Sequence, residues 1–331
     1  MSVPSFCQNK ISYFAIIVAI VAAISSGSSK AADVSADATT HTSAVAKEMS
    51  APVTPAEYQV GSMYVEQYLN PKAQGAPVIL IPGLSSGAYI WDDTVKALQN
   101  KHSIYVITLA GFNGKPAMPG AKLLKAKESL AELIRTKNIQ KPVLIGHSLG
   151  AALSIWFAEE NSNLISGVFA VDGLPVMPRS ENLTAEQRQA MSQGMKTQMS
   201  GVTQEVFADQ QLKYMQVMGV IDQELAKKLA ARSATSDRTA FVDYVTELFA
   251  TDIRKDLPSI TVPLALVSPY YEKDFASIPM SEDQKTAYYA SLLSEAKNLQ
   301  IISISNARHF VMLDQPAIFN DKLQSFVNSI H

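Results

Sequence analysis

The chain has 331 residues, of which 47% are hydrophobic and 18% are charged, and its formal net charge is −2. This composition supplies a large core and excludes bulk disorder, and the length suggests about two domains. Because the charge is nearly balanced and no block of Lys and Arg occurs, we do not expect nucleic acid as a partner.

The first 31 residues have the pattern of a secretory signal peptide. Lys10 precedes an apolar run at residues 11–24, and Ser29 and Ala31 supply the two small residues that precede a cleavage site. The run is shorter than the roughly 20 residues that a comfortable membrane span needs. We therefore expect a secreted or periplasmic protein, cleaved after Ala31, whose mature chain has no stable membrane insertion. An uncleaved membrane anchor is the alternative.

Cys7, the only cysteine, lies before that apolar run, so cleavage would leave a mature chain without a thiol. Such a chain has neither a disulfide nor a cysteine nucleophile. The sequence contains no His or Cys cluster with zinc spacing and no Gly-rich phosphate loop. We therefore expect no metal and no other cofactor.

Strands and helices alternate along most of the chain after a segment at residues 32–56, which is rich in Ala, Ser and Thr and predicts a flexible lead-in. Strands are predicted at 58–68 (as two short strands), 78–81, 103–109, 143–145, 165–171, 264–267 and 300–304. Helices are predicted at 92–99, 121–137, 149–160, 281–297 and 316–328. The short, nearly all-apolar strands indicate an α/β fold with a mostly parallel sheet and helices on both faces.

Between residues 174 and 257 the alternation stops, and only helices are predicted, at 184–200, 203–218, 222–231 and 238–250. Methionines recur in the first two of these helices, at Met191, Met195, Met199, Met215 and Met218. The first three lie on one helix face. They predict either packing between two layers or a soft, adaptable wall for an apolar substrate.

A G-x-S-x-G motif, formed by Gly146, Ser148 and Gly150, lies between a predicted strand and a predicted helix. A strand, a sharp turn and a helix are the context in which this motif forms a nucleophile elbow. The glycines have no side chain to clash where strand and helix pass closely. Because a pattern with three fixed positions is common by chance, the flanking elements carry the prediction that Ser148 is a nucleophile.

A serine nucleophile needs a base within hydrogen-bond reach and a third group that orients the base. His309 lies in the loop after the last predicted strand and is the best-placed candidate for the base. His41 lies in a polar N-terminal stretch, and His102 lies far upstream of the motif. His147 is part of the elbow but should be aimed away from the serine, and His331 is the last residue. A loop histidine with a structural hydrogen bond is the alternative interpretation of His309.

The chain resembles an α/β-hydrolase with a helical cap over roughly residues 60–330. The segments that carry the resemblance are Ile81-Pro82-Gly83-Leu84, Leu109-Ala110-Gly111-Phe112, Gly146-His147-Ser148-Leu149-Gly150, Val171-Asp172-Gly173-Leu174-Pro175 and Arg308-His309-Phe310. The resemblance implies a hydrolase core at 57–173 and 258–331. It also implies a helical cap at 174–257, inserted after the strand that ends near Val171, and a chain order of serine, acid and histidine.

The resemblance further implies an oxyanion hole made of two backbone N–H groups. One belongs to Leu149, which follows the nucleophile, and the other to Leu84, which follows the pair Pro82-Gly83. The family usually has a histidine where this chain has Pro82.

Two strand ends can supply the acid of a catalytic triad. Asp172 directly follows one predicted strand and precedes Gly173, which places it rigidly. Asp274 and Glu272 follow the next strand, the commoner location in the family, but this loop carries a proline and two tyrosines where a short acid-bearing turn is usual. We expect Asp172 to orient the imidazole, with Asp274 and Glu272 as alternatives.

Together these expectations describe an exported serine hydrolase that cleaves a small to medium ester with an apolar part through an acyl-serine intermediate. The serine argues against dehalogenase and epoxide hydrolase chemistry, which in this fold uses an aspartate nucleophile. Thioesterase, aminopeptidase, perhydrolase and C–C hydrolase chemistry stay open, as does a non-catalytic binding protein on the same fold. The expected partner is a small apolar ester, and no oligomeric state is predicted.

Overall fold

An eight-stranded sheet forms the centre of the computed structural model, which describes residues 55–276 and 280–330. Its strands are β1 (Ala56–Val60), β2 (Met63–Tyr68), β3 (Val78–Ile81), β4 (Ile104–Leu109), β5 (Val143–His147), β6 (Gly167–Val171), β7 (Leu264–Tyr270) and β8 (Leu299–Ser305). They lie in the order β1-β2-β4-β3-β5-β6-β7-β8. The pairings β1–β2 and β2–β4 are antiparallel and all others are parallel, so the predicted mostly parallel sheet is confirmed.

Helices cover both faces of this sheet. They are α1 (Asp92–Leu98), α2 (Lys122–Thr136), α3 (Leu149–Asn161), α4 (Ala185–Met199), α5 (Gln204–Tyr214), α6 (Gln223–Ser233), α7 (Arg238–Ala250), α8 (Glu282–Leu292), α9 (Val311–Asp314) and α10 (Pro316–Ser329). Apolar residues of α2 and α3 share one core with the sheet, and those of α1 and α10 share the other. Every residue of β3, β4, β5 and β6 is therefore buried, as expected for strands covered on both faces.

Four helices, α4 to α7, follow β6 and precede β7 in the chain, and they are called the inserted helices below. Helix α4 packs against α7, and α5 packs against α6. The carboxylate of Glu247 in α7 accepts hydrogen bonds from the backbone N–H groups of Lys122 and Leu123 at 2.8–2.9 Å. Because a helix leaves its first N–H groups unsatisfied, this contact caps α2 and joins the inserted helices to the sheet layer.

Two predicted helices are shorter than the sequence pattern indicated. The helix expected at 203–218 ends at Tyr214, and Met215–Gly219 forms a π-helical turn closed by the Val220 N–H on the Met215 carbonyl. The carbonyls of Met218 and Gly219 accept hydrogen bonds from the loop after β8, which explains the wider turn. The helix expected at 281–297 ends at Leu292.

The predicted signal peptide at 1–31 lies outside the described residues, as does most of the lead-in at 32–56. Pro55 and Ala56 are the exceptions, and Ala56 begins β1. No helix among residues 55–276 and 280–330 is long and apolar enough to span a membrane.

Candidate active site

Ser148 occupies a sharp turn between β5 and α3. Its backbone angles are φ 55° and ψ −116°, a conformation that non-glycine residues rarely adopt and that strains the backbone. A Cβ on Gly146 would collide with the Gly150 carbonyl, so only glycine allows the strand and the helix to pass this closely. Between residues 142 and 155 every residue except Ser148 is buried. The turn therefore presents one hydroxyl at the carboxyl edge of the sheet.

The loop after β3 lies directly beside Ser148. A Cβ built on Gly83 would lie 2.9 Å from the Ser148 Cβ, and Leu84 lines the same cavity as the serine. Leu149 is the first residue of α3. The first N–H groups of a helix have no partner within the helix, and its N-terminus favours negative charge. The order of the strands reverses between β3 and β5, and ligands in open α/β sheets bind at such a switch point.

His309 and Asp172 are hydrogen-bonded although 137 residues separate them. The His309 Nδ1 lies 2.6 Å from Asp172 Oδ2. Asp172 directly follows β6 and has a positive φ of 45°, and its backbone N–H donates to the Val267 carbonyl at 3.0 Å. The structure thus brings the predicted base and the favoured acid together. They meet at the end of β6, which pairs with β5, the strand that precedes Ser148.

Of the two alternative acids, Asp274 lines the same cavity as Ser148 but is held by another residue. Arg308 binds Asp274 through two hydrogen bonds, from Nη2 to Oδ1 at 2.6 Å and from Nε to Oδ2 at 3.0 Å. Such a bidentate ion pair holds the carboxylate in a fixed direction. Glu272 is exposed in a short 3₁₀ turn after β7.

The Asp172 carboxylate is buried but charged. Burial by itself would raise the pKa of this carboxyl, but the Lys285 ammonium and the hydrogen bonds from His309 and Tyr289 outweigh it, so the pKa is lowered. Tyr289 donates its hydroxyl to Oδ1 at 2.7 Å. Both oxygens of the acid therefore have a donor, and neither Tyr289 nor Lys285 was identified from the sequence.

His147 has a place in the site that the sequence analysis did not give it. It is fully buried, and its Nε2 lies 3.0 Å from the backbone carbonyl of His309. Because a carbonyl only accepts, Nε2 carries the proton. Burial and the neighbouring His309 hold the pKa of His147 well below its usual range. The His147 side chain is thus a neutral donor whose ring packs 4.4 Å from the His309 ring.

The inserted helices hold the loop that carries His309. The N–H groups of His309 and Phe310 donate to the carbonyls of Met218 and Gly219, at 3.2 and 3.0 Å. Arg308 Nη1 donates to the Gln216 carbonyl at 2.8 Å. The position of the imidazole is therefore tied to the π-helical turn.

Ser148, Asp172 and His309 line one cavity of about 740 Å³. A volume in this range suits a small organic molecule. Its apolar wall is formed largely by side chains from the inserted helices and from the loop after β6, with one from the loop after β3: Leu84, Met177, Met218, Val245, Leu248 and Phe249. A second part of the wall is polar and includes Glu181, Lys285 and Tyr288.

The three methionines on one face of α4 do not line this cavity. Met199 is buried, and Met191 and Met195 pack against the core formed with α2 and α3. The interpretation of these three as a substrate wall is therefore wrong, and they pack between layers instead. Met215 is likewise buried, whereas Met218 lines the cavity. In the part of the chain that the structure describes, no group of three or more His, Cys, Asp or Glu side chains is arranged to hold a metal ion.

Comparison with known proteins places the chain among hydrolases. Residues 78–322 match the sequence profile of the alpha/beta hydrolase family. A protein of Serratia proteamaculans, provisionally assigned as the carbamate hydrolase RutD, is 25% identical over 228 residues, which are 66% of this chain and 84% of that protein. The pimeloyl-(acyl-carrier protein) methyl ester esterase of Vibrio cholerae is 21% identical over 211 residues, 61% of this chain and 78% of its own.

Among solved structures, an esterase from Exiguobacterium antarcticum superposes with a TM-score of 0.66 at 15% identity. The superposition covers 83% of this chain and all of that esterase. At this identity the likeness concerns the fold.

Proposed function

This chain belongs to the alpha/beta hydrolase family, and we propose that it is a serine hydrolase of carboxylic esters. The observation that carries the proposal is the convergence of three groups in one cavity. Ser148, half-buried in its strained strand–turn–helix, and the hydrogen-bonded pair of His309 and Asp172 reach this cavity from three different strand ends.

The proposed reaction follows from these positions. Ser148 Oγ attacks the ester carbonyl while His309 Nε2 takes its proton, and Asp172 orients the imidazole. The backbone N–H groups of Leu84 and Leu149 stabilise the oxyanion, and each such donor is worth about 2.7–4 kcal/mol in the transition state. The intermediate collapses, the alcohol leaves with the proton from His309, and water activated by His309 hydrolyses the acyl-serine.

The shape and lining of the cavity support a small to medium ester with an apolar part. Leu84, Leu248 and Phe249 of the cavity wall offer apolar contact to an acyl chain or an alcohol. The names of the curated relatives, an esterase and a carbamate hydrolase, describe attack on related carbonyl groups. A carbamate is therefore the second substrate class to test.

We expect purified protein to hydrolyse p-nitrophenyl butyrate with a kcat of about 1–10³ s⁻¹, the range of ordinary enzymes. The assay follows p-nitrophenolate release and repeats it with p-nitrophenyl acetate, p-nitrophenyl decanoate and a p-nitrophenyl carbamate. Saturable turnover of an ester supports the proposal, and faster turnover of the carbamate would change the substrate class. Binding of butyrate esters without any turnover would favour a binding protein.

We further propose export, on the basis of Lys10, the apolar run at 11–24 and the small residues Ser29 and Ala31. Secreted or periplasmic material should have the intact mass of a chain that begins at Ala32. Recovery of the full-length mass from the membrane fraction would indicate an anchor instead.

A further inference from the structure

The carboxylate of Asp172 is held on both of its oxygens. Oδ2 accepts the His309 Nδ1–H at 2.6 Å, and Oδ1 accepts the Tyr289 hydroxyl at 2.7 Å. Tyr289 and Lys285 lie four residues apart on α8, so they share one face of that helix. The Lys285 ammonium lies 5.0 Å from the centre of the Tyr289 ring. One helix face therefore acts on the acid from the side opposite His309.

Lys285 is a partly buried cation among carboxylates. Its ammonium donates to the Pro269 carbonyl at the end of β7. Burial lowers the pKa of Lys285, and the carboxylates of Asp172, Asp274 and Glu282 oppose that shift.

Each of these three carboxylates also accepts hydrogen bonds from groups other than Lys285. Asp274 forms the bidentate pair with Arg308, and Glu282 accepts hydrogen bonds from the hydroxyls of Ser303 and Ser305. Among the interactions that favour a charged Asp172, the attraction of Lys285 is the largest. The ammonium thus compensates mainly the negative charge of Asp172, the acid that orients His309.

We propose that Tyr289 and Lys285 are positioning residues for the hydrolysis proposed above. Tyr289 fixes the plane of the Asp172 carboxylate, and Lys285 offsets part of its charge, so that α8 sets both the direction and the charge balance of the Asp172–His309 pair. This inference rests on the proposed function where it is tested by enzyme kinetics. Where it is tested by NMR spectroscopy, it rests only on the geometry around Asp172.

The sign of the effect follows from the charges around the pair. A carboxylate beside an imidazole favours the protonated ring, and a cation behind that carboxylate opposes this. The other titratable groups at the pair are His147 from β5, Tyr214 from α5, and the ion-paired Arg308 and Asp274, which line the same cavity. Burial lowers the pKa of His147 and raises that of Tyr214, so both are neutral near pH 7. Because Arg308 and Asp274 neutralise each other, Lys285 is the charge whose removal should change the proton balance of the Asp172–His309 pair.

We expect Lys285→Met to move the acidic limb of the kcat/KM pH profile upward by about one unit, as loss of a nearby charge does. Tyr289→Phe should move the limb in the same direction and lower the plateau kcat about tenfold with KM changed less than about twofold, because an orienting contact acts mainly in the transition state. Lys285→Arg should restore most of the wild-type profile, since it returns the charge.

Matched controls lie outside the cavity. Lys297→Met removes the charge of an exposed lysine beyond α8, and Tyr64→Phe removes the hydroxyl of a tyrosine on β2 that packs against Lys115. Both should leave the limb in place. The proposal is overturned if the acidic limb stays at the wild-type pH in Lys285→Met and Tyr289→Phe. It is also overturned if the acidic limb moves equally in the controls.

A second measurement needs no turnover. The His309 Nδ1 proton should give a downfield ¹H NMR resonance, assigned by its loss in His309→Ala, and its pH titration should move upward in Tyr289→Phe. An unchanged titration contradicts the positioning role even if esters prove not to be substrates. A shifted titration in a protein without esterase activity would support that role and reject the proposed reaction. If Lys285→Met fails to fold, Tyr289→Phe and Lys285→Arg still carry the test.

Discussion

Ser148→Ala should lower kcat/KM for p-nitrophenyl butyrate by about 10⁵-fold or more, as loss of a serine nucleophile does in other hydrolases. The hydroxyl is the only group at this turn that can form the acyl intermediate, and an alanine Cβ occupies the same space. The fold should be unchanged, so near-ultraviolet circular dichroism and the thermal midpoint should match those of the wild type. Labelling by a fluorophosphonate should disappear together with turnover.

A matched control is Ser166→Ala. Ser166 lies before β6, at the edge of the sheet opposite the site, where its hydroxyl donates to the Lys141 carbonyl. This variant should retain wild-type kinetics. If Ser148→Ala still turns over the ester at the wild-type rate, the nucleophile is another residue.

Asp172→Asn should lower kcat by up to about 10⁴, the loss that follows when an orienting aspartate is replaced and the imidazole takes the wrong tautomer. Asp172 Oδ2 accepts the Nδ1–H of His309, and an amide in its place would also lose the charge that stabilises the imidazolium. The substitution nearly preserves volume, so the loss should appear in kcat far more than in the free energy of unfolding.

Asp274→Asn and Glu272→Gln are the controls for that experiment. Asp274 is bound by Arg308, and Glu272 is exposed, so each substitution should lower kcat less than about tenfold by indirect effects. A large loss in Asp274→Asn with most activity kept in Asp172→Asn would move the acid to the end of β7.

The central strands could be predicted because β3 to β6 are buried on both faces and therefore consist almost wholly of apolar residues. The nucleophile turn could also be predicted from the sequence, because its tight local geometry requires Gly146, Ser148 and Gly150. His309 followed by elimination among five histidines. The strands and the turn could be predicted because each depends on residues that are close together in the chain.

The remaining features depend on contacts between distant segments. Asp172 and Asp274 are both acids after a parallel strand, and contacts between distant segments decide which of them meets His309. Lys285 and Tyr289 look like polar residues of any amphipathic helix, although they reach a carboxylate more than 110 residues away. The π-helical turn at Met215–Gly219 has no local signal, because it forms where the loop with His309 binds its carbonyls.

The most direct test is a crystal structure of the protein after reaction with a phosphonate ester that mimics the tetrahedral intermediate. We predict a covalent bond from phosphorus to Ser148 Oγ, and a phosphonyl oxygen within hydrogen-bond distance of the backbone N–H groups of Leu84 and Leu149. We also predict His309 between Ser148 and Asp172. A bond to any other residue, or a Ser148 that stays unmodified while the ester is hydrolysed, would contradict this prediction.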